Sequence, residues 1–375
     1  MSGVAPPGVR APAQLTGPPL VRSALDVAGA MRCVQVAALP CVAVAVYNAG
    51  YQVRFALAHG LATGGDWRLR ALEALGAPAS STRAWVCVAH GAAILLPLFL
   101  TSLLAGGLAE RLFARARGRS VDHTALGVIA LLFTLCLPPG LPLWQAALGG
   151  FVAVAVGKEI FGGFGHNFVN PPLVGLGFLY FAYPSALSGD ALQVAADGYS
   201  GATLLGAARQ GGITALEASG AGFGDALWGR VPGALGETSA LACALGLAVL
   251  LYTGVASWRV VAGGALGLVA AALLAGALDS GRPIAELPWH WHAVVGGFAF
   301  GLVFLATDPV TAPLTDPGRW LYGLAIGGLV VLLRVANPAH RESVLLAVLL
   351  GNVMAPLLDQ VAARIQLRAN RSHVR

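Results

Sequence analysis

Charged side chains are scarce in this chain: Asp, Glu, Lys and Arg make up 11% of its 375 residues, and Lys158 is the single lysine. A water-soluble domain carries about a quarter of its residues as charges, so that class is excluded. Basic runs interleaved with aromatics are missing, which excludes a nucleic-acid partner. The five cysteines, Cys33, Cys41, Cys87, Cys136 and Cys243, form no C-x-x-C pair and mostly sit inside apolar runs. They indicate neither an iron–sulfur site nor a disulfide framework and read as small buried hydrophobes. Walker and Rossmann glycine spacings are absent, so nucleotide binding by those folds is not expected. The Pro-, Ala- and Gly-rich start lacks a basic region followed directly by an apolar core, and reads as a short cytoplasmic tail over residues 1–30 instead of a signal peptide.

What the chain does have is apolar sequence. Hydrophobic residues reach 57%, the mean hydropathy is +0.74, and 50 residues are glycine. Such a composition belongs in a bilayer, where close helix packing uses small residues. The rare charges divide residues 31–360 into segments with the length a helix needs to cross about 30 Å of hydrocarbon. The fold class expected is an all-α polytopic membrane protein of about ten transmembrane helices. They are placed near 32–54, 83–110, two within 122–158 parted by the turn Pro138-Pro139-Gly140-Leu141-Pro142, 173–183, 239–258, 260–278, 292–307, 320–335 and 343–358. With the first residues in the cytoplasm, 14 of the 23 basic residues lie inside and nine outside, as the positive-inside bias favours. That orientation exports a loop at about 184–238 and leaves 361–375 as a basic cytoplasmic tail.

Two stretches resemble each other. Asn167-Phe168-Val169-Asn170-Pro171-Pro172-Leu173 and Thr307-Asp308-Pro309-Val310-Thr311-Ala312-Pro313-Leu314 each join an Asn/Asp-Pro pair to apolar sequence. They are expected to break helices at equivalent points of a 5+5 repeat, although turn residues also coincide by chance.

The exported loop contains Asp197-Gly198-Tyr199-Ser200-Gly201-Ala202-Thr203. A plain reading is an ordinary turn, since Asp, Ser and Gly are turn formers. The stretch also resembles the flavinylation motif D-x-x-S-G-A-T, in which FMN is joined to the threonine oxygen by a phosphoester. The small neighbours Gly201 and Ala202 leave the approach of a flavin transferase to the Thr203 hydroxyl unobstructed.

Further motifs lie in order along the chain: 157–171 (GKEIFGGFGHNFVNP), Phe181-Ala182-Tyr183-Pro184, 231–237 (VPGALGE), Pro288-Trp289-His290-Trp291-His292, 296–301 (GGFAFG), Ala306-Thr307-Asp308-Pro309-Val310 and 334–339 (RVANPA). From about Val21 to Asp359 they resemble the family of the membrane B subunit of the sodium-translocating NADH:quinone reductase, with the related D subunit of the Rnf complex as the alternative. The resemblance implies a fold related to ammonium and urea channels, covalent FMN at Thr203 with Ser200, Gly201 and Ala202 beside it, and a bound riboflavin. It also implies electron flow from the FMN of the partner C subunit toward ubiquinone, coupled to Na⁺ movement. The partners implied are subunits A, C, D, E and F, with NADH bound on another chain than this one. The place implied is the bacterial inner membrane, multi-pass.

Other residues carry two readings each. Glu110, Asp308 and Asp359 end apolar runs on the expected cytoplasmic side and match acids the family uses in sodium uptake; hard carboxylate oxygens suit a small cation. The alternative is solvated helix-end charge. Gly106 and Gly107 fall where the family binds quinone, while glycine in a membrane helix more often serves packing. His290 and His292 alternate with Trp289 and Trp291, which together read as an interfacial aromatic belt, so a structural role is expected for the histidines more than a metal or proton site. Lys158 and His166 flank a Gly-rich turn whose amides are able to hold a phosphate or flavin edge. A passive channel of the same helical plan is the rival of a different class, and Thr203 separates the two, since a channel has no use for a flavin tether.

Overall fold

The computed structural model describes residues 26–61, 67–78, 81–118, 120–121, 123–188, 193–196, 203–278, 281–336 and 343–373. Among these residues there is helix and no strand. The long elements are α1 (Val27–Ala58), α3 (Ala84–Arg117), α11 (Trp258–Ala277), α14 (Asp316–Ala336) and α15 (Ser343–His373), joined in chain order by the shorter α2 (Trp67–Ala74), α4 (His123–Leu135), α5 (Leu143–Val154), α6 (Pro171–Ala182), α7 (Pro184–Ser188), α8 (Leu204–Ala218), α9 (Phe223–Trp228), α10 (Ala240–Tyr252), α12 (Trp289–Val294) and α13 (Phe298–Phe300). Among the described residues, five helices are long and apolar enough to cross a membrane: α1, α3, α11, α14 and α15 over Ser343–Ile365. The chain is therefore a multi-pass membrane protein. Helices α4, α6 and α10 are also apolar but shorter.

The breaks follow from the residues. Pro138-Pro139-Gly140 ends α4, as a proline pair must. Helix α5 widens into a π-helical turn over Ala155–Glu159, and α13 into another over Gly301–Leu305. After each π turn the backbone leaves the helix, over 160–170 up to Asn170-Pro171 and over 306–315 around Asp308-Pro309, so helix is interrupted at both. The segment expected as a single eighth span, 292–307, is instead broken by Gly296 and Gly297, with φ of 69° and 70°, a left-handed conformation that glycine adopts without strain.

Helix packing uses the glycines as the composition suggests. A β-carbon on Gly91 of α3 would overlap the Val46 carbonyl oxygen of α1, and one on Gly327 of α14 would overlap the Gly264 carbonyl oxygen of α11. Backbones this close forbid any side chain. Within 184–238, expected as a loop, α7, α8 and α9 are helical. Leu204, Leu205, Ala208, Leu216, Val231, Ile284 and Trp291 gather there in an apolar cluster of their own. Beyond residue 360, where only a basic tail was expected, α15 runs on to His373.

Candidate functional site

Thr203 is the N-cap of α8. Its backbone is extended (φ −73°, ψ 152°), and its Oγ1 accepts a hydrogen bond from the Gly206 N–H at 3.2 Å. A threonine in this place satisfies one of the four N–H groups that a helix start leaves unpaired. The residue is half-buried, at the wall of an open cavity of about 700 Å³, a volume that includes the part open to solvent. Asp197, Ser200, Gly201 and Ala202 lie outside the described residues.

Three further segments contribute to the wall of this cavity. The first, Val231 to Thr238, is pinned to the turn after α4: Leu235 N–H donates to the Leu137 carbonyl at 3.0 Å and Gly236 N–H to the Leu135 carbonyl at 2.6 Å. Asn48 of α1 donates to the Val231 carbonyl at 2.9 Å. The second is the Val294–Gly297 bend. Arg334, wholly buried in α14, donates to the carbonyls of His292 (2.6 Å), Val295 (2.7 Å) and Gly296 (3.0 Å), and its Nε donates to Ser343 Oγ at 3.3 Å. One rigid guanidinium fork thus fixes the carbonyls that the glycine break frees. The third is Gln193, in the short segment between α7 and Thr203, buried with its Oε1 lacking a hydrogen-bond partner among the described residues. Glu237 packs on Gly297, where a β-carbon would overlap its carboxyl group. Sequence reading quoted Arg334 and Glu237 only as parts of motifs and missed Gln193 altogether, because a lone Gln carries no spacing signal.

Of the three candidate ion-pathway acids, Glu110 is buried, whereas Asp308 and Asp359 are half-buried and hydrogen-bonded. Glu110 and Lys158 are both buried, with Lys158 Nζ 2.8 Å from Glu110 Oε1 and 3.4 Å from Glu159 Oε1. Each charge offsets the desolvation of the other. Asp308 accepts from Val310 N–H (3.2 Å), the Thr311 hydroxyl (3.1 Å) and Asn170 Nδ2 (3.4 Å). Asp359 accepts from Leu314 N–H and Thr315 N–H, each at 2.9 Å, and from the Thr315 hydroxyl at 2.5 Å. Asp308 and Asp359 therefore tie the two ends of the Pro309–Thr315 connector.

The two proline pairs meet. Asn170 Nδ2 donates to the Leu305 carbonyl at 3.3 Å, and Asn170 N–H to Asn352 Oδ1 at 3.1 Å. An apolar cavity of about 420 Å³ opens at this junction, lined by Asn170, Pro171, Asp308 and Pro309 with Phe304 and Phe164. A third cavity, of about 550 Å³ including the part open to solvent, is lined by Glu110, Arg117, Lys158, Glu159 and His166, and Phe164 is a wall of both this one and the cavity at Asn170. The Gly-rich turn flanked by Lys158 and His166 thus faces two acids, Glu110 and Glu159, as well as three basic side chains, Arg117, Lys158 and His166.

Gly106 packs against α5 and α4, where a β-carbon would meet Val154 Cγ2 at 2.9 Å, and Gly107 packs against Leu126 of α4. Their visible contacts are those of packing residues. His292 is buried beneath Arg334, Trp291 is buried as well, and Trp289 is exposed. All five cysteines are free; four are buried and Cys33 is half-buried.

The family model described as the NQR2, RnfD, RnfE family matches residues 14–367. The chain is 45% identical over 358 residues to the B subunit of the Na(+)-translocating NADH-quinone reductase of Pseudomonas aeruginosa (strain LESB58), covering 94% of this chain and 88% of that one. It is 45% identical over 354 residues to the like-named protein of Chromohalobacter salexigens, covering 94% and 86%, and 44% identical over 358 residues to that of Azotobacter vinelandii, covering 94% and 88%.

Proposed function

The chain belongs to the NQR2, RnfD, RnfE family, and from that membership we propose that it is the membrane redox subunit of a sodium-pumping NADH:ubiquinone oxidoreductase. In this reading electrons pass through FMN esterified to Thr203 and through a bound riboflavin to quinone, coupled to Na⁺ movement, while subunits A, C, D, E and F complete the complex and one of them binds NADH. The observation that carries the proposal is the Thr203 hydroxyl, which ends the D-x-x-S-G-A-T motif and stands at the wall of an open cavity. The first turn of α8 adds N–H groups and a dipole that favour a phosphate esterified there. When bound, the flavin supplies the electron chemistry. This chain supplies a tether through Thr203 and a wall fixed by Arg334.

The helical plan fits two sets of five. In this reading α1, α3, α4, α5 with its π turn, and α6 would make one set, and α10, α11, α12 with α13 and its π turn, α14, and α15 the other. The meeting of Asn170 with Asp308 supports such a repeat, and with it the relation to ammonium and urea channels. Glu110, Asp308 and Asp359 are proposed to take sodium from the cytoplasm, and Gly106 and Gly107 to border the quinone. The name shared by the relatives favours this reading over an Rnf-type D subunit.

The test is sodium-stimulated quinone reduction by NADH, measured on the assembly that copurifies with this chain from its native bacterial membrane. The proposal requires that Thr203→Ala abolish in-gel flavin fluorescence of this chain together with that activity. Activity retained by a chain whose fluorescence is lost would overturn it.

A further inference from the structure

Gln193 is 7% exposed, lies at the wall of the Thr203 cavity, and has an amide oxygen with no hydrogen-bond partner among the described residues. Buried carboxamides in folded proteins are nearly always satisfied, and each exception calls for an explanation. Glutamine also loses much side-chain freedom when ordered, so an unpaired one at a cavity wall is costly unless a ligand completes it.

A carboxamide presents an acceptor beside a donor. Its complement is an edge that carries an N–H next to a C=O. A quinone has acceptors only and would leave Oε1 unpaired. The pyrimidine ring of a flavin carries an N–H flanked by two carbonyls and satisfies both ends of the amide at once. We propose that Gln193 binds the pyrimidine edge of the flavin and sets its orientation in the cavity, opposite the tether at Thr203. This rests on the assignment of FMN to Thr203. It goes further in stating which side chain reads the ring, and why the pocket selects a flavin over a quinone.

The proposal has an electrochemical consequence. Reduction places more negative charge on the carbonyl edge of the ring, so an amide N–H donated there favours the reduced form. Gln193→Leu keeps the bulk and removes both polar ends, lowering the midpoint potential of the Thr203 flavin. Gln193→Glu replaces the donor by a charge of the wrong sign and lowers it further. Each also moves the carbonyl stretching bands of the flavin.

The experiment uses the copurified assembly with unaltered Gln193, Gln193→Leu and Gln193→Glu. FMN on the Thr203 peptide is measured by mass, the potential by redox titration, and the ring carbonyl bands by Raman spectroscopy with isotope-labelled flavin. The expected result is retained attachment, a potential lowered in the order Gln, Leu, Glu, and shifted bands. Attached FMN with unchanged potential and bands in both variants overturns the role of Gln193 and leaves the Thr203 assignment standing. Thr203 without FMN in the unaltered chain removes that assignment, and this proposal with it. Should Gln193→Leu fail to fold or load, the unaltered protein still decides: an N–H band at the position of free, water-exposed FMN overturns the proposal, and a displaced one supports it.

Discussion

At the scale of single residues, Thr203 does two things that mutation can separate. Its hydroxyl caps α8 and is the proposed attachment point for flavin. Thr203→Ser should keep the cap and part of the flavin. Thr203→Asn should keep the cap, since Asn caps as well as Ser, and lose all flavin; Thr203→Val should lose both and weaken α8 by about 1 kcal/mol. Flavin fluorescence, read beside protease resistance of the α8 segment, distinguishes these outcomes; fluorescence retained in Thr203→Asn would refute the ester. Arg334 is the second test. Arg334→Met removes the donors to three carbonyls, so buried acceptors are left unpaired at about 1–3 kcal/mol each. The apparent melting temperature in detergent should fall and flavin loading with it; an unchanged pair of readings would mean that the bend holds itself.

Single residues also mark the limit of what the sequence makes legible. Thr203 stands out because small residues and a hydroxyl follow one another in a fixed order. The bonding of Glu110, Asp308 and Asp359 does not, because their partners Lys158, Asn170 and Thr315 lie in other helices or connectors, and no local pattern reports a contact across the fold.

At the scale of elements, the scarcity of charge makes the long helices easy to place: α1, α11 and α14 begin and end within about a turn of the positions expected from it, whereas α3 runs on past its expected end at Glu110 to Arg117. The Pro and Gly clusters locate the breaks at Pro138, Asn170 and Asp308. The π turns escape notice, since no residue pattern distinguishes them from the helix they widen. Helices α7, α8 and α9 are hidden because a Gly-rich segment with little apolar periodicity reads as loop; Gly212, at φ 62°, in fact breaks α8 within its span. The connector bracketed by Asp308 and Asp359 allows an element-level test of the ion pathway. Asp308→Asn keeps a carbonyl oxygen and removes a charge, so the half-saturating sodium concentration for quinone reduction should rise several-fold, equivalent to about 1 to 2 kcal/mol. Asp359→Asn should do the same and also loosen the turn, because one of its two oxygens becomes a donor facing N–H groups. With flavin content as the assembly control, an unchanged sodium requirement in both variants would reduce these acids to fasteners of the connector.

At the scale of the whole molecule, the distribution of basic residues argues for both termini in the cytoplasm and Thr203 outside. Single cysteines at Ser200 and Ser372, in a background without the native five, should be labelled by an impermeant thiol reagent from opposite faces of the membrane; labelling from one face would reject the ten-span plan. Everything proposed for electron transfer depends on one covalent bond within that plan, and the most direct measurement is the mass of the peptide containing Thr203 from the protein purified out of its native membrane. The account predicts that peptide at its own mass plus FMN less one water, with fragmentation placing the addition on Thr203. An unmodified Thr203 peptide from an active preparation would contradict it.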